Sequence, residues 1–488
     1  MRPGDTARLY HELTSYSGET EEWVPRDDPR LLQDHAPNDF STWPWPCKRY
    51  PGDLPAVALP REWPAAAPSA TAVLAGRHDA PAAQPTVPAL ARLLHLTAGV
   101  VRVAERADRP ALLLRAAGSA GGRFPLELYL SARGVDGLPD GVHFYDPVGH
   151  ALIRVGPTAG GGPATTLIVT GVPWRTGWRY AERGWRHIHW DAGTALSQAL
   201  ALADSAGLRP RLWTRFPDAE VARLVGADGV HELPVALLAL GEGAPAIAPR
   251  GEAAAGAVDA APREFPLVTR AHHAGDGDAL GEPWPAGAPV GGELPPSAPL
   301  DDVLLQRGTT RRMDPGRTLP RAVLTFSLAA AMRGIDISHY VAVHGVDDLA
   351  PGLYRWPDLG APLRRGELRH ELLRVCWDQD LARDAAFVAL GVADLGTLGD
   401  REYREAQLAA GLVEGRLHVA AYALGAGASG MTFLDSEIEL LLGAPLAGLL
   451  FTCVGVPAYR NRKGAGRPGA PVPVVVPAAG ITETVRDA

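Results

Sequence analysis

Apolar residues recur along this chain with two periods, one helical and one extended. Over 90–101 (LARLLHLTAGVV) they fall at helical spacing and stop at Gly99, which predicts a helix closed by that glycine. An alanine-rich run over 196–206 predicts a second helix, and 319–333 a third. Short apolar runs bounded by turn residues predict strands. These are LELYL at 126–130 after the glycine-rich turn 115–125, a hairpin over 141–155 (GVHFYDPVGHALIRV), and a buried strand over 165–172. Residues 1–70 are rich in Pro and Trp and show no sustained period, so they are expected to wrap a core built elsewhere. Residues 242–300 are Ala, Gly and Pro with little apolar period, the composition of a linker.

The pattern of the first half returns in the second. Gly352-LYRW answers Gly141-VHFY, Tyr403-Arg404 answers Trp185-Arg186, and Ala410-Gly411 answers Ala192-Gly193. DSEIELLLG, starting at Asp435, answers DAEVARLVG, starting at Asp218, and LLFTCVG ending at Gly455 answers VALLALG ending at Gly241. Five landmarks in one order at near-constant separation predict two tandem halves, 71–241 and 301–488. Helices alternating with short strands place both halves in the α+β class, packed as a pseudo-twofold pair with a site between them.

Composition narrows the function. A chain of 488 residues with 46% hydrophobic content supports two cores. A net charge of -8 with no basic stripe excludes a general nucleic-acid binder. Cys47, Cys376 and Cys453 lack the close pairing of a zinc or disulfide framework and read as core thiols in a reducing cytoplasm. No apolar run reaches membrane-spanning length, and the N-terminus lacks a signal-peptide core. His187 and His189 have no third ligand nearby and read as structural, so no metal is expected.

The densest chemistry lies in QRGTTRRM at 306–313. Arg307, Thr309 and Arg311 alternate just before the run 319–333, so forked donors, a hydroxyl and a helix dipole would converge on a phosphate. A solvated basic helix entrance fits these residues equally well on their own. The run from Gly425 to Gly430 matches G-x-G-x-x-G as a string but follows a helical segment, so a Rossmann reading fails its context.

Taken together, GSAGGRFPLELYL, GVHFYDP, WRYAERGWRHIHWDAG, RGTTRRM, GLYRW and the Asp435 helix entry resemble the nitroreductase superfamily, and within it the SagB-type azoline dehydrogenases. The resemblance implies FMN held between two subunits, here between two fused halves. It implies that Arg307, Thr309 and Arg311 take the flavin phosphate and ribityl chain, with Thr for the family's Ser. The turn 118–121, including Ser119 and Gly121, resembles the loop lent by the other half. Gly430 and Met431 resemble a loop passing the flavin ring, and the tail Arg460, Arg462 and Lys463 resembles a phosphate clamp. AGRHDA at 75–80 and DISHYV at 336–341 stand where the complementary motifs would be, which implies one complete FMN site and one decayed site. The family's Lys-Tyr pair falls on Arg179 and Tyr180. Arginine cannot serve as a base near neutral pH, which leaves Tyr180 as proton acceptor, its pKa lowered by Arg179. Asp191 and Gly193 keep the family's Asp-x-Gly, while Thr194 replaces a common His and is assigned no chemistry.

Three functions follow from the resemblance. The first is oxidation of azoline rings in a peptide or carrier-bound natural product, with a cyclodehydratase complex as partner. The second is a nitro or quinone reductase fed by NAD(P)H. The third is a flavin-free scaffold subunit of a peptide-modifying complex.

Overall fold

The computed structural model describes residues 3–17, 28–64, 68–106, 110–459 and 464–475. Arg460, Arg462 and Lys463 lie outside the described residues.

The first half opens with α1 (Asp5–Leu13), β1 (Ala56–Ala58), α2 (Ala70–Leu74) and α3 (Val87–Ala98). Thr86 caps α3 by accepting from the N–H of Ala89, and Gly99 ends it as expected. The strands β2 (Val100–Ala104) and β3 (Leu112–Arg115) form a hairpin. Then come β4 (Leu126–Ala132), β5 (Gly141–Asp146), β6 (Ala151–Gly156), β7 (Thr165–Gly171), α4 (Pro173–Tyr180), α5 (Gly184–Ser205), β8 (Arg211–Trp213), α6 (Asp218–Val225) and β9 (Leu233–Leu240).

After α7 (Pro266–His273), the second half runs α8 (Leu300–Gln306), α9 (Arg321–Ala331), β10 (Ser338–Val343), β11 (Gly352–Arg355) and β12 (Arg364–Arg365). It continues through α10 (Arg369–Val375), α11 (Asp380–Asp384), β13 (Phe387–Ala393), α12 (Asp400–Ala423), β14 (Gly427–Met431), α13 (Ile438–Leu442), β15 (Ala447–Gly455) and β16 (Val472–Pro473).

Two antiparallel sheets carry the repeat. One is ordered β1-β6-β5-β4-β7-β9-β8 and the other β12-β11-β10-β13-β15-β14, so after β1 the two orders match strand for strand. The central strands β4, β7 and β9 are buried along their whole length, because α3 and α5 pack on one face and α6 with the segment around Ile247 on the other. A third small sheet, β16-β2-β3, returns the C-terminal segment to the first half.

The halves meet along α5 and α12. A side chain added at Gly193 would place its Cβ 2.4 Å from the Leu408 carbonyl oxygen, and one at Gly411 would lie 2.3 Å from the Trp190 carbonyl oxygen. The two backbones therefore approach to contact along this crossing, which Gly193 and Gly411 permit together with Gly415, whose Cβ would lie 2.8 Å from Thr194 Cα.

Buried charge clusters flank the crossing and repeat across it. Arg183 and Arg186, at the start of α5, donate to Asp435 of the second half at 2.6 and 2.7 Å. Arg401 and Arg404, at the start of α12, donate to Asp218 of the first half at 2.6 and 3.2 Å. His11 of α1 meets Tyr403 at 3.0 Å, and His272 of α7 accepts from Trp185 at 3.3 Å. The helices α1 and α7 thus serve the two halves equivalently.

Three expectations change here. Residues 1–70 hold a helix, α1, whose Tyr10 is fully buried, and a strand, β1, which extends the first sheet. The segment 242–300 contains α7, with Leu267, Val268, Ala271 and His272 buried, so it packs against both halves. The run 319–333 begins as a helix only at Arg321. Arg307 instead ends α8, so the dipole of α9 does not act at that arginine. Among the described residues no helix is long and apolar enough to cross a membrane. All three cysteines are free; Cys376 and Cys453 are buried and Cys47 is half-buried.

Candidate functional site

On one side of the α5–α12 crossing, the end of α8 meets the turn between β3 and β4. Arg307 is buried; its Nη2 donates to the Ala116 carbonyl and its Nη1 lies 3.3 Å from His418 Nδ1. Its Nε is buried without a partner, as is Thr310 Oγ1. Thr309 is half-buried, Arg311 is exposed, and the Arg311 N–H donates to the Tyr459 hydroxyl at 2.9 Å. The Thr310 N–H donates to the Ala428 carbonyl at 3.0 Å, which lays this segment beside β14.

Gly430 and Met431, expected in a loop, belong to β14, the edge strand on β15. A Cβ at Gly430 would lie 3.1 Å from Glu414 Oε1, so the strand's glycine faces the polar groups of α12. Met431 is buried in the core of the second half. Its side chain is a packing group, because alternation along the strand points it away from the face of Gly430.

The first half supplies the turn 118–122. The Ser119 hydroxyl donates to Asp191 Oδ2 and accepts from the Phe124 N–H at 2.8 Å, while the Ala120 N–H donates to Asp191 Oδ1 at 3.0 Å. Gly121 has φ +58°, and a Cβ there would lie 2.6 Å from the Tyr180 hydroxyl and 2.8 Å from Arg179 Cδ. A Cβ at Gly118 would lie 3.8 Å from both Arg307 Nη1 and Thr194 Cγ2. Arg307, Ser119, Gly121, Arg179 and Tyr180 therefore come together from both halves.

Tyr180, at the end of α4, lies against His187 with ring centroids 4.1 Å apart, and His187 against Trp190 at 4.6 Å, both pairs tilted by 34°. Burial raises the Tyr180 pKa, and the opposing pull of Arg179 does not cancel it. This reverses the expected lowering and leaves Tyr180 a neutral phenol at neutral pH. His189 bonds the Trp185 carbonyl within its own helix at 3.0 Å, in keeping with a structural role.

Sequence reasoning missed a buried polar layer beneath the turn. Thr194, assigned no chemistry, donates to Glu414 Oε2, and His418 Nε2 lies 3.0 Å from Glu414 Oε1. Burial works against the charge of Glu414, but His418, Thr194 and Arg307 together hold its carboxyl below the usual range. Burial, reinforced by Glu414, pushes Asp191 up to about 7 against the hydrogen bonds from Ser119 and Ala120. The i,i+4 spacing of Glu414 and His418 was the available signal, and it lay within a long helix otherwise read for its repeat.

The opposite side of the crossing is different. With Gly193 set against Gly411, the places of Glu414 and His418 are held by Leu196 and Leu200, and those of Asp191 and Thr194 by Ala409 and Leu412. Arg333 fills the space beside Gly76, donating to the Leu74 carbonyl at 2.9 Å and the Ala288 carbonyl at 3.1 Å. Trp284 donates to the Gly334 carbonyl at 2.7 Å, and the Val290 N–H to the Ala75 carbonyl at 2.9 Å. The chain's own segment 284–290 closes this side.

Asp218, His272 and Asp276 lie close enough to share a cation. Arg401 and Arg404 already occupy both oxygens of Asp218, which makes the cluster an ion-pair network.

The architecture is nitroreductase-like. A solved structure from Anabaena variabilis, described as a nitroreductase, superposes with a TM-score of 0.68 at 24% identity, covering 93% of this chain and 99% of that one. The likeness therefore takes in both halves, and at this identity it defines the fold. In sequence, the chain is 28% identical over 137 residues to a protein of Methanocaldococcus jannaschii named as a nitroreductase, a match covering 25% of this chain and 68% of that protein. No family model matches the sequence.

Proposed function

We propose that this chain is an FMN-dependent oxidoreductase with one flavin cleft between its halves, and that it dehydrogenates azoline rings in a peptide or carrier-bound natural product. The observation behind the flavin reading is the meeting of Arg307, the turn 118–122 and Tyr180 on one side of the helix crossing, while leucines and the segment 284–290 fill the other. The residues suit the cofactor. Arg307 Nε is a buried donor without a partner, and Gly118 and Gly430 bring no side chain of their own to the lining. Arg307, Thr309 and Arg311 would hold the phosphate and ribityl chain, with Arg462 and Lys463 as further cations. Ser119, Gly121 and Gly430 would approach by turn and strand backbone. FMN bound there would supply the two-electron acceptor.

The azoline reading rests on the resemblance of the segment around Tyr180 to the SagB-type pair. Arg179 lays its guanidinium beside the Tyr180 ring, 5.6 Å from its centroid, and Tyr180 contributes a neutral hydroxyl at the cleft. That hydroxyl also favours a second reading, NAD(P)H-fed reduction of nitro or quinone compounds, because a neutral phenol donates a proton to a reduced product.

The protein reconstituted with FMN should hold one flavin per chain by absorbance, and a ratio near two would sink the single-cleft reading. Given an azoline-containing peptide in air, it should remove two hydrogen atoms by mass spectrometry. NAD(P)H consumption with a nitroarene and no peptide would favour the reductase instead. A colourless protein after reconstitution would refute both and leave the scaffold role.

A further inference from the structure

We propose that Asp191 is a positioning residue that sets whether Ser119 offers a hydrogen-bond donor or only an acceptor to the cleft, and thereby makes FMN affinity depend on proton uptake at one buried carboxyl. The inference rests on the flavin reading above for its ligand, and on the geometry of the turn for its mechanism.

A serine hydroxyl has one proton and two lone pairs. Here the proton is committed inward to Asp191 Oδ2, and one lone pair accepts the Phe124 N–H at 2.8 Å. While Asp191 is ionised, Ser119 can therefore show the cleft only a lone pair. When Asp191 carries a proton, it donates to Ser119 Oγ. The serine proton is then released to point outward, toward a carbonyl, hydroxyl or phosphate oxygen. The exchange moves one proton from solvent to Asp191 and breaks no covalent bond. Oδ1 keeps the Ala120 N–H in both states, so the turn itself holds its shape.

Among the described residues no other group holds the Ser119 hydroxyl from behind. A small pocket lies between the turn, the start of β4 and α5, lined by Thr97, Ala117, Phe124 and Ala195 together with Ser119 and Asp191. Thr97 Oγ1 is buried there without a partner. The charged and titratable groups that face Asp191 are Glu414 on α12 and Tyr180 on α4; His418 and Arg307 act on Glu414, Arg179 and Arg123 on Tyr180, and Arg115 lines the small pocket. Burial first, and the Glu414 anion second, keep the proton on Asp191 to about 7, so the exchange falls within the working range of pH.

Asp191→Asn copies the protonated state permanently, since its amide donates to Ser119 while its oxygen accepts from Ala120. FMN binding, measured by fluorescence quenching from pH 5.5 to 8.5, should be equal for wild type and Asp191→Asn at the acid end. At the alkaline end it should be about three- to tenfold weaker in wild type, the value of one hydrogen bond. Titration of the FMN phosphate is common to all variants and cancels in the ratio. Ser119→Ala provides an independent arm: wild type should bind more tightly than this variant only at the acid end. A ratio to either variant that does not change with pH overturns the proposal. Difference infrared spectroscopy of the protein without FMN should show a protonated carboxyl lost between pH 6 and 8 in wild type and absent from Asp191→Asn. If that signal is present but no variant binds FMN, the flavin reading fails. If FMN binds and the signal is missing, the switch fails.

Discussion

Removing the carboxylate of Asp435 tests how far buried charge ties the two halves together. Asp435 accepts from Arg183 Nη1 at 2.6 Å, Arg186 Nη1 at 2.7 Å and the Tyr16 N–H at 2.9 Å, with His11 Nε2 at 3.6 Å. Its side chain is 6% exposed, and those of the two arginines are 2% and 0% exposed. Asp435→Ala would leave two guanidinium groups buried without a counter-charge. Loss of one partner of a buried pair costs about 3–5 kcal/mol. Unfolding entropy of about 2.1 cal/mol/K per residue gives about 1 kcal/mol/K for this chain length, so the melting temperature should fall by about 3–5 °C. Differential scanning calorimetry at pH 7 measures it. Replacing Arg183 and Arg186 by Met in the same background should recover most of the loss, because an apolar filling avoids the stranded charge. The sign with pH is also set. The two arginines hold the Asp435 carboxyl far below its usual range against burial, so its contribution is full above pH about 4 and is lost as pH falls toward the folded value. A variant that melts within about 1 °C of wild type at pH 7 would refute the reasoning.

Other substitutions probe the cleft and the crossing. Arg307→Ala should weaken FMN binding by about 10- to 150-fold, equivalent to one charge-assisted contact of about 1.5–3 kcal/mol; equilibrium dialysis checks it, and unchanged retention would place the phosphate elsewhere. Tyr180→Phe should leave flavin content intact and lower turnover by about 10²–10⁴-fold. Because burial raises the Tyr180 pKa, wild-type turnover should show no inflection from this group near neutral pH; one that Tyr180→Phe abolishes would contradict its assignment as a neutral phenol. Gly193→Val would drive a side chain into the Leu408 carbonyl and the Leu412 N–H, each 2.4 Å from its Cβ, and should prevent the halves from packing, read as loss of the cooperative melting transition. A normal melting curve would show that the crossing can yield.

Much of the architecture was legible because it is written in period and repetition. The hairpin of β5 and β6, the strand β7 and the stop of α3 at Gly99 all follow local patterns that the tertiary structure leaves alone. The paired landmarks fall on equivalent elements: Gly193 and Gly411 at the crossing, Asp218 and Asp435 at the two arginine clusters. What escaped was set by long-range contact. Helix α1 is short, and its burial depends on partners such as Glu182, whose carbonyl accepts from Tyr10, and Tyr403, which lie 172 and 392 residues further along the chain. The helix α7 hides in a composition typical of linkers because four buried residues are enough to dock it. At the site, adjacency suggested that Arg179 would lower the Tyr180 pKa. Burial, which no local pattern reports, outweighs it. Glu414 showed only its i,i+4 spacing to His418, and Thr194 only its place after Gly193, since their pairing arises where two helices from different halves face one another.

Covalent fusion of the two halves has a practical consequence. In an assembly of identical subunits, any change to one cleft is copied into the other, and every spectroscopic probe reports an average. Here position 414 is a glutamate while its counterpart across the crossing, 196, is a leucine, so each address in the sequence belongs to a single place in space. An isotope label or fluorophore at one of them would observe one cleft alone, with the other side of the same molecule as its internal reference.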